Sequence, residues 1–284
     1  MIAITGATGQ LGRLVIQNLL KSVPAGQIVA AVRSPEKAAD LAALGLQVRQ
    51  ADYAQPATLE AAFQGVDKLL LISSSEVGQR APQHAAVIAA AKNAGVKLLA
   101  YTSILRADSS PLGLAAEHKA TETMLRDSGI PFVLLRNSWY TENYTGSVGA
   151  AVQYGAVMGS AKDGRIASAA RADYAAAAAA VLTKEGQAGK VYELAGDTAY
   201  TLADLAAEIA RQSGKPVVYK DMPEAEYKAA LMQVGLPEGF AALLADSDVG
   251  ASKGGLFDDG HQLSQLIGRP TTPLADVVKA ALAA

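Results

Sequence analysis

Ile2-Ala3-Ile4-Thr5-Gly6-Ala7-Thr8-Gly9-Gln10-Leu11-Gly12 decides the fold, because a short apolar β-type run stops at a glycine and a helical pattern opens at once. A G-x-x-G-x-x-G spacing is weak evidence alone, but between a strand and a helix it has a mechanism. Gly6 allows the tight turn, Gly9 lets a pyrophosphate approach the backbone, and Gly12 lets the helix pack against its strand. The amides and the positive dipole end of that helix suit phosphate groups. Gly6, Ala7, Thr8, Gly9, Gln10, Leu11 and Gly12 are therefore the first candidate contacts to a dinucleotide cofactor. The bland alternative is a glycine-rich turn with no ligand.

Outward from this stretch, short β-branched or Leu-rich runs alternate with Ala-rich helical stretches. Residues 2–5, 28–33, 47–50, 68–73, 97–102 and 132–136 read as strands. Residues 10–21, 35–44, 57–63, 81–94 and 115–128 read as crossover helices, several closed by a glycine such as Gly45, Gly95 or Gly129. Right-handed crossovers then give an α/β fold with a Rossmann-type doubly wound parallel sheet. After Arg136 the chain turns polar and aromatic in Asn137-Ser138-Trp139-Tyr140-Thr141-Glu142-Asn143-Tyr144, a composition that reads as a loop facing a ligand. Trp139, Tyr140 and Tyr144 there read either as a ligand wall or as core and interface aromatics.

Farther on, Asp173 is placed to N-cap a helix over 174–183, whose alanine run 175–180 reads as a tightly packed helix. Residues 191–194 form a strand, and Thr201-Leu202-Ala203-Asp204 reads as a capping box with Asp in place of Glu. A strand at 216–219, a helical segment, the Gly-rich stretch 250–255 and a terminal helix from Leu274 complete a smaller C-terminal α/β lobe. The expected organisation is a cofactor-binding Rossmann domain over 1–136, followed by a loop and an interleaved substrate-binding lobe over 137–284, the whole a single compact unit.

Composition narrows the chemistry. With 25 basic and 27 acidic residues mixed along 284, the formal charge is −2 and no footprint for nucleic acid or an anionic membrane appears. The absence of cysteine excludes thiolate chemistry and Cys-ligated metals, and three scattered histidines suggest no metal motif, so redox work needs a borrowed cofactor. The first residues read directly into a strand, and no apolar run reaches the roughly 20 residues a bilayer needs, so the expectation is a cytoplasmic protein.

The second strand ends in Arg33, where an NAD-preferring fold places Asp or Glu on the ribose 2′-hydroxyl. A guanidinium there suits the 2′-phosphate, so the reading is NADPH, with NADH weaker, against a solvated strand-end arginine. Asp52 reads equally as an acceptor for the adenine amino group or as a loop cap. Ser73, Ser74 and Ser75 close the fourth strand as small polar linings of a cofactor trench. None of the ten tyrosines has a lysine four residues later, which removes the Tyr-x-x-x-Lys proton donor of short-chain alcohol dehydrogenases. Hydride addition to a ketone leaves an alkoxide of pKa near ~15.7, whereas a quinone leaves a phenolate near ~10, a difference of about 7–8 kcal/mol. Such an acceptor can take its proton from water or a modest donor. His84 and His118 fall on helices, where packing explains them better than catalysis.

With these residues in view, the chain resembles the NmrA-like, atypical short-chain dehydrogenase/reductase family over essentially its whole length. The resemblance rests on residues 4–12, Val32-Arg33, Asp52-Tyr53, Leu70-Leu71-Ile72-Ser73-Ser74-Ser75, Tyr101-Thr102-Ser103, Leu135-Arg136-Asn137 and Ala251-Ser252-Lys253-Gly254-Gly255. It implies NADPH-dependent reduction of quinones to hydroquinones by direct hydride transfer, without flavin or metal. It also implies cofactor contacts from Asn137, Ser138, Trp139, Tyr140, Thr141 and Glu142 near the nicotinamide and from Arg171 in the second lobe. The quinone is then held by Asn137, Tyr140 or Asn143. Lys119 lacks the pattern around the catalytic lysine of ether-reducing members. Two other readings stay open: reduction of another planar, electron-poor acceptor such as a triphenylmethane dye, and a protein that senses the NADPH/NADP balance without turnover.

Overall fold

Strands of a parallel sheet are covered by helices on both faces, so they are apolar throughout rather than alternating. The computed structural model, which describes residues Met1–Ala284, shows this pattern directly: β1 (Ile2–Thr5) buries Ala3, Ile4 and Thr5 completely. The elements that follow are α1 (Gln10–Leu19), β2 (Ile28–Val32), α2 (Ala39–Ala43), β3 (Gln47–Gln50), α3 (Pro56–Ala62) and β4 (Lys68–Leu71). Next come α4 (Arg80–Asn93), β5 (Leu98–Ile104), α5 (Ala115–Ser128), β6 (Phe132–Asn137), α6 (Glu142–Thr145), α7 (Val148–Tyr154) and β7 (Ala156–Gly159). The chain ends through α8 (Arg171–Thr183), β8 (Val191–Leu194), α9 (Leu202–Ser213), β9 (Val218–Asp221), α10 (Glu224–Gln233), α11 (Glu238–Ser252), α12 (Gln262–Ile267) and α13 (Leu274–Leu282).

The main sheet runs β3-β2-β1-β4-β5-β6-β8, the doubly wound Rossmann order with a seventh strand added at one edge. The pairs from β3 to β6 are parallel, with Ile2 opposite both Ile28 and Lys68, and Lys68 opposite Leu98. The sequence pattern predicts six strands for this sheet; the structure adds 191–194 as the seventh. The backbone of Leu134 donates to Lys190 O at 3.0 Å, which carries the chain alongside β6 into β8.

The chain divides into two units that interleave in sequence. The first holds Met1–Ile104, Ala116–Asn137 and Arg171–Tyr192; the second holds Leu105–Ala115, Ser138–Ala170 and Glu193–Ala284. In the first unit α1 packs on α8. The alanine run 175–180 makes that approach possible, since Ala175, Ala177 and Ala178 are buried and present only methyl groups. That helix starts at Arg171, two residues before its expected cap, so Asp173 lies buried in the first turn. An acidic side chain in the first turn suits the positive end of the helix.

In the second unit β7 and β9 form a two-stranded parallel sheet, and α9 carries the expected capping box, with Asp204 N donating to Thr201 Oγ1 at 3.1 Å and Thr201 N to Asp204 Oδ2 at 2.8 Å. The Gly-rich stretch 250–255 is partly helical, because α11 continues to Ser252. A Cβ at Gly250 would stand 2.8 Å from Leu112 Cγ, and one at Gly255 would stand 2.5 Å from Leu112 Cδ1, so these glycines exist to seat Leu112.

A charged cluster is buried between α5 and the sheet. Glu122, fully buried, accepts from Ser103 Oγ at 2.6 Å, from Arg136 Nε at 2.9 Å and Nη2 at 2.6 Å, and from Arg126 Nη2 at 2.9 Å. Removing one member of a buried ion pair strands the other. Glu122→Ala is therefore expected to destabilise the protein by about 3–5 kcal/mol in urea unfolding. A loss below about 1 kcal/mol would show that Arg136 finds solvent or another acceptor instead.

Candidate active site

Residues 6–12 form the predicted turn between β1 and α1. Gly6 takes φ of +57°, and its carbonyl accepts from Gly9 N at 2.9 Å, closing the turn. A Cβ on Gly12 would stand 2.4 Å from Gly6 O and 2.8 Å from Ala7 Cα, so only glycine lets α1 begin this close to the strand. Gly9 is the N-cap of α1, no side chain caps the helix, and no acid occupies its first turn. The positive end of α1 therefore has no internal counter-anion, which is the arrangement a pyrophosphate requires. Ala7 and Leu11 are buried beneath the turn, while Gly6, Gly9 and Gln10 are exposed and Thr8 is half-buried. Arg13 Nε donates to Thr8 O at 3.1 Å, and its guanidinium pairs with Asp40, fixing the turn from the far side.

The ends of β1, β4 and β5 are stitched by short side chains. Thr5 Oγ1 donates to Leu70 O at 3.2 Å and accepts from Ile72 N at 3.0 Å, and Thr102 Oγ1 accepts from Ser73 N at 2.9 Å. These bonds direct Ser73, Ser74 and Ser75 away from β4 at the switch point beside β1, where doubly wound folds bind ligands. Arg33 follows β2 directly, is exposed, and donates to Glu76 Oε1 at 3.0 Å. Asp52 caps its own loop: Oδ1 accepts from Ala54 N at 3.0 Å and Oδ2 from Gln55 Nε2 at 2.9 Å.

Both histidines are buried and hold this region from below. His84 Nε2 accepts from Ser74 N at 3.0 Å, so its proton is on Nδ1, 2.9 Å from Thr121 Oγ1. Arg80 Nε donates to Ser74 O at 2.5 Å, and its Nη1 lies 3.4 Å from His118 Nε2. Arginine only donates, so His118 is also neutral, with Nδ1–H directed at Tyr101 Oη 2.8 Å away. Burial, reinforced by the nearby Arg80 charge, pulls His84 down to about 4 and His118 down to about 3. Burial pushes the Tyr101 hydroxyl up. Both are buried, His118 at 4% exposure, and act as packing and positioning groups.

Asn137 is the last residue of β6, opposite Ile104, rather than the start of a loop. It is 5% exposed, and its side-chain Oδ1 has no hydrogen-bond partner within the protein. A buried carbonyl oxygen left alone costs about 1–3 kcal/mol, so this is an acceptor set for a ligand or water. The polar stretch beyond it is ordered within the second unit. Ser138 N donates to Leu194 O at 2.8 Å, Thr141 N to Ala169 O at 3.0 Å, and Tyr140 bridges Ala169. Trp139 is buried, Tyr140 half-buried, Asn143 exposed, and Glu142 opens α6. Arg171, expected in the second lobe, opens α8 in the first unit, together with the glycine turn.

The sequence reading missed Asp248, buried in α11 of the second unit. Tyr144 Oη donates to its Oδ1 at 3.2 Å and Ser160 N to its Oδ2 at 2.9 Å, while burial raises it to about 6. In an Ala-rich helix that also carries Asp246, Asp248 belongs to no pattern that marks it. No group of three or more His, Asp or Glu gathers as a metal site, and no helix is long and apolar enough to cross a membrane.

Residues 6–185 match the NAD(P)H-binding family. Quinone oxidoreductase 2 of Escherichia coli (strain K12) is 66% identical over 278 residues, covering 98% of this chain and 97% of that protein. The crystal structure of the NADPH-dependent quinone oxidoreductase from Escherichia coli complexed with NADPH aligns with a TM-score of 0.97, over 99% of this chain and 100% of that one. Citrobacter sp. triphenylmethane reductase complexed with NADP(H) aligns with a TM-score of 0.95 at 44% identity, over 99% of this chain and 100% of that one.

The histidines give a pH signature. Below pH about 6.5 the unfolded chain binds protons at both rings, while the native state resists until about 4 at His84 and about 3 at His118. Stability present above pH about 6.5 is therefore lost as pH falls towards 4. In urea unfolding across that window, the double variant His84→Gln/His118→Gln should lose less stability on acidification than the parent. Parallel curves would show that the histidines do not control the acid limb.

Proposed function

We infer, from the fact that this chain belongs to the NAD(P)H-binding family and to its NmrA-like, atypical short-chain dehydrogenase/reductase branch, that it is an NADPH-dependent quinone oxidoreductase. The observation that carries the reading is the uncapped N-terminus of α1 behind the 6–12 turn, in a chain 66% identical to a quinone oxidoreductase over nearly its full length. NADPH supplies the hydride that reduces the quinone.

In this reading the backbone of residues 6–12 and the α1 amides hold the pyrophosphate. Arg33 takes the 2′-phosphate with its guanidinium. Ser73, Ser74 and Ser75 line the dinucleotide, their backbone fixed by His84, Arg80 and Thr102. Asn137 Oδ1, the unpartnered buried acceptor, takes an N–H or O–H donor of cofactor or substrate. Ser138, Trp139, Tyr140, Thr141 and Glu142, with Arg171, complete the cofactor contacts, and Asn137, Tyr140 and Asn143 orient the quinone. The first unit, which holds the 6–12 turn and Arg171, thus supplies the cofactor domain and the second unit the substrate-binding lobe, and a cytoplasmic location, where NADPH is plentiful, goes with that use.

Positioning supplies most of the catalysis. No Tyr-x-x-x-Lys pair is needed, because the reduced quinone is a phenolate-like anion that takes its proton from water. The 44% identity to a triphenylmethane reductase supports a second reading, in which planar cationic dyes are also accepted.

Two outcomes follow from these roles. The purified protein should oxidise NADPH in the presence of a small benzoquinone or naphthoquinone and not with an aliphatic ketone; tight NADPH binding without turnover on any quinone or dye would replace catalysis with sensing. Arg33→Ala should weaken NADPH binding by about 1.5–3 kcal/mol in a fluorescence titration while sparing NADH. Equal losses for both cofactors would remove the 2′-phosphate role.

A further inference from the structure

Strand-order geometry brings an unexpected carboxylate to Arg33. β2 and β4 flank β1 on its two sides, so the segments leaving them stand on either side of the 6–12 turn. Arg33 leaves β2, and Glu76 lies in the segment that leaves β4. Their side chains meet, with Arg33 Nη1 donating to Glu76 Oε1 at 3.0 Å. The carboxylate is held in that direction: Gln83 Nε2 donates to its Oε2 at 2.7 Å, and Glu76 N donates to Ser74 Oγ at 3.1 Å. Both charged side chains are largely exposed, at 70% and 49%, so the pair is weak and exchangeable.

NAD-preferring folds place a carboxylate at the end of β2. This chain has arginine there, yet a carboxylate reaches the same guanidinium from the opposite side of β1. We propose that Glu76 is a specificity-determining residue, a resident carboxylate on Arg33 that competes with the 2′-phosphate of NADPH and so lowers the preference for NADPH over NADH. The proposal rests on Arg33 as the 2′-phosphate ligand. A phosphate monoester carries nearly two negative charges, so it must displace the Glu76 carboxylate from the guanidinium and is repelled by it. The 2′-hydroxyl of NADH makes no such demand.

Fluorescence titrations of the full chain with NADPH and with NADH, comparing the parent, Glu76→Gln and Arg33→Ala, test this. Glu76→Gln keeps the shape and removes the charge, and its exposure makes a folding defect easy to exclude by thermal melting. It should tighten NADPH about two- to fivefold, the scale of an exposed ion pair, and leave NADH unchanged. The gain should shrink as salt screens the charges. If Arg33→Ala weakens NADPH selectively while Glu76→Gln leaves NADPH unchanged or shifts both cofactors equally, the role of Glu76 is overturned and that of Arg33 stands. If Arg33→Ala affects both cofactors alike, the 2′-phosphate reading itself falls, and the role of Glu76 falls with it.

Discussion

The first turn of α1 approaches the end of β1 so closely that a Cβ at Gly12 would stand 2.4 Å from the Gly6 carbonyl oxygen. That approach is the constraint on which the rest depends. It lets α1 start immediately beyond the strand, directs its uncapped amides outward, and places its other face against α8, where alanines keep the packing tight. A methyl group at position 12 would push helix and strand apart and misplace the helix terminus. Cofactor chemistry and core packing are therefore set by one contact, which explains why the glycine spacing is informative only between a strand and a helix.

Beneath the carboxyl ends of β4 and β5 the core is polar and laced with hydrogen bonds. The Ser74 peptide is gripped on both sides, its N–H by His84 and its C=O by Arg80, and Arg80 in turn reaches His118. Neutral imidazoles suit this task, since each accepts at one nitrogen and donates at the other without adding charge beside a buried guanidinium. Glu122 does the same for the neighbouring strands, joining Ser103 of β5 to Arg136 of β6. Asn137 Oδ1, on the same sheet edge, is left without a protein partner. Backbone held rigidly on one side and an unsatisfied acceptor on the other are what pre-organisation for a ligand looks like.

The first half of the fold was legible because its signals are local: apolar runs of strand length, glycine-closed helices and the strand–turn–helix motif. Gly45, Gly95 and Gly129 all adopt positive φ, as helix-closing glycines should. What was not legible depends on contacts distant in sequence. Nothing around Val191 says that its strand joins the main sheet, and nothing near Arg171 says that α8 returns to pack on α1. The short elements α7 and β7 carry no periodicity long enough to detect. Gly250 and Gly255 show their purpose only when Leu112, far upstream, is seen against them. At the site, the type of each residue was readable and its partner was not: Arg33 could be singled out from the strand end, whereas its meeting with Glu76 is a product of strand order.

Chemically, a missing proton donor and a stable reduced product belong together. A fold that binds NADPH without the Tyr-x-x-x-Lys pair suits acceptors whose reduced form needs no strong proton donor, and quinones are such acceptors. The most direct measurement is anaerobic single-turnover mixing of the protein, charged with NADPH deuterated at the transferring C4 position, with benzoquinone. Direct hydride transfer predicts one hydroquinone per NADPH oxidised and a slower reaction with deuterium than with hydrogen. Oxidation insensitive to the isotope and accompanied by a one-electron radical product, or no oxidation at all, would contradict it.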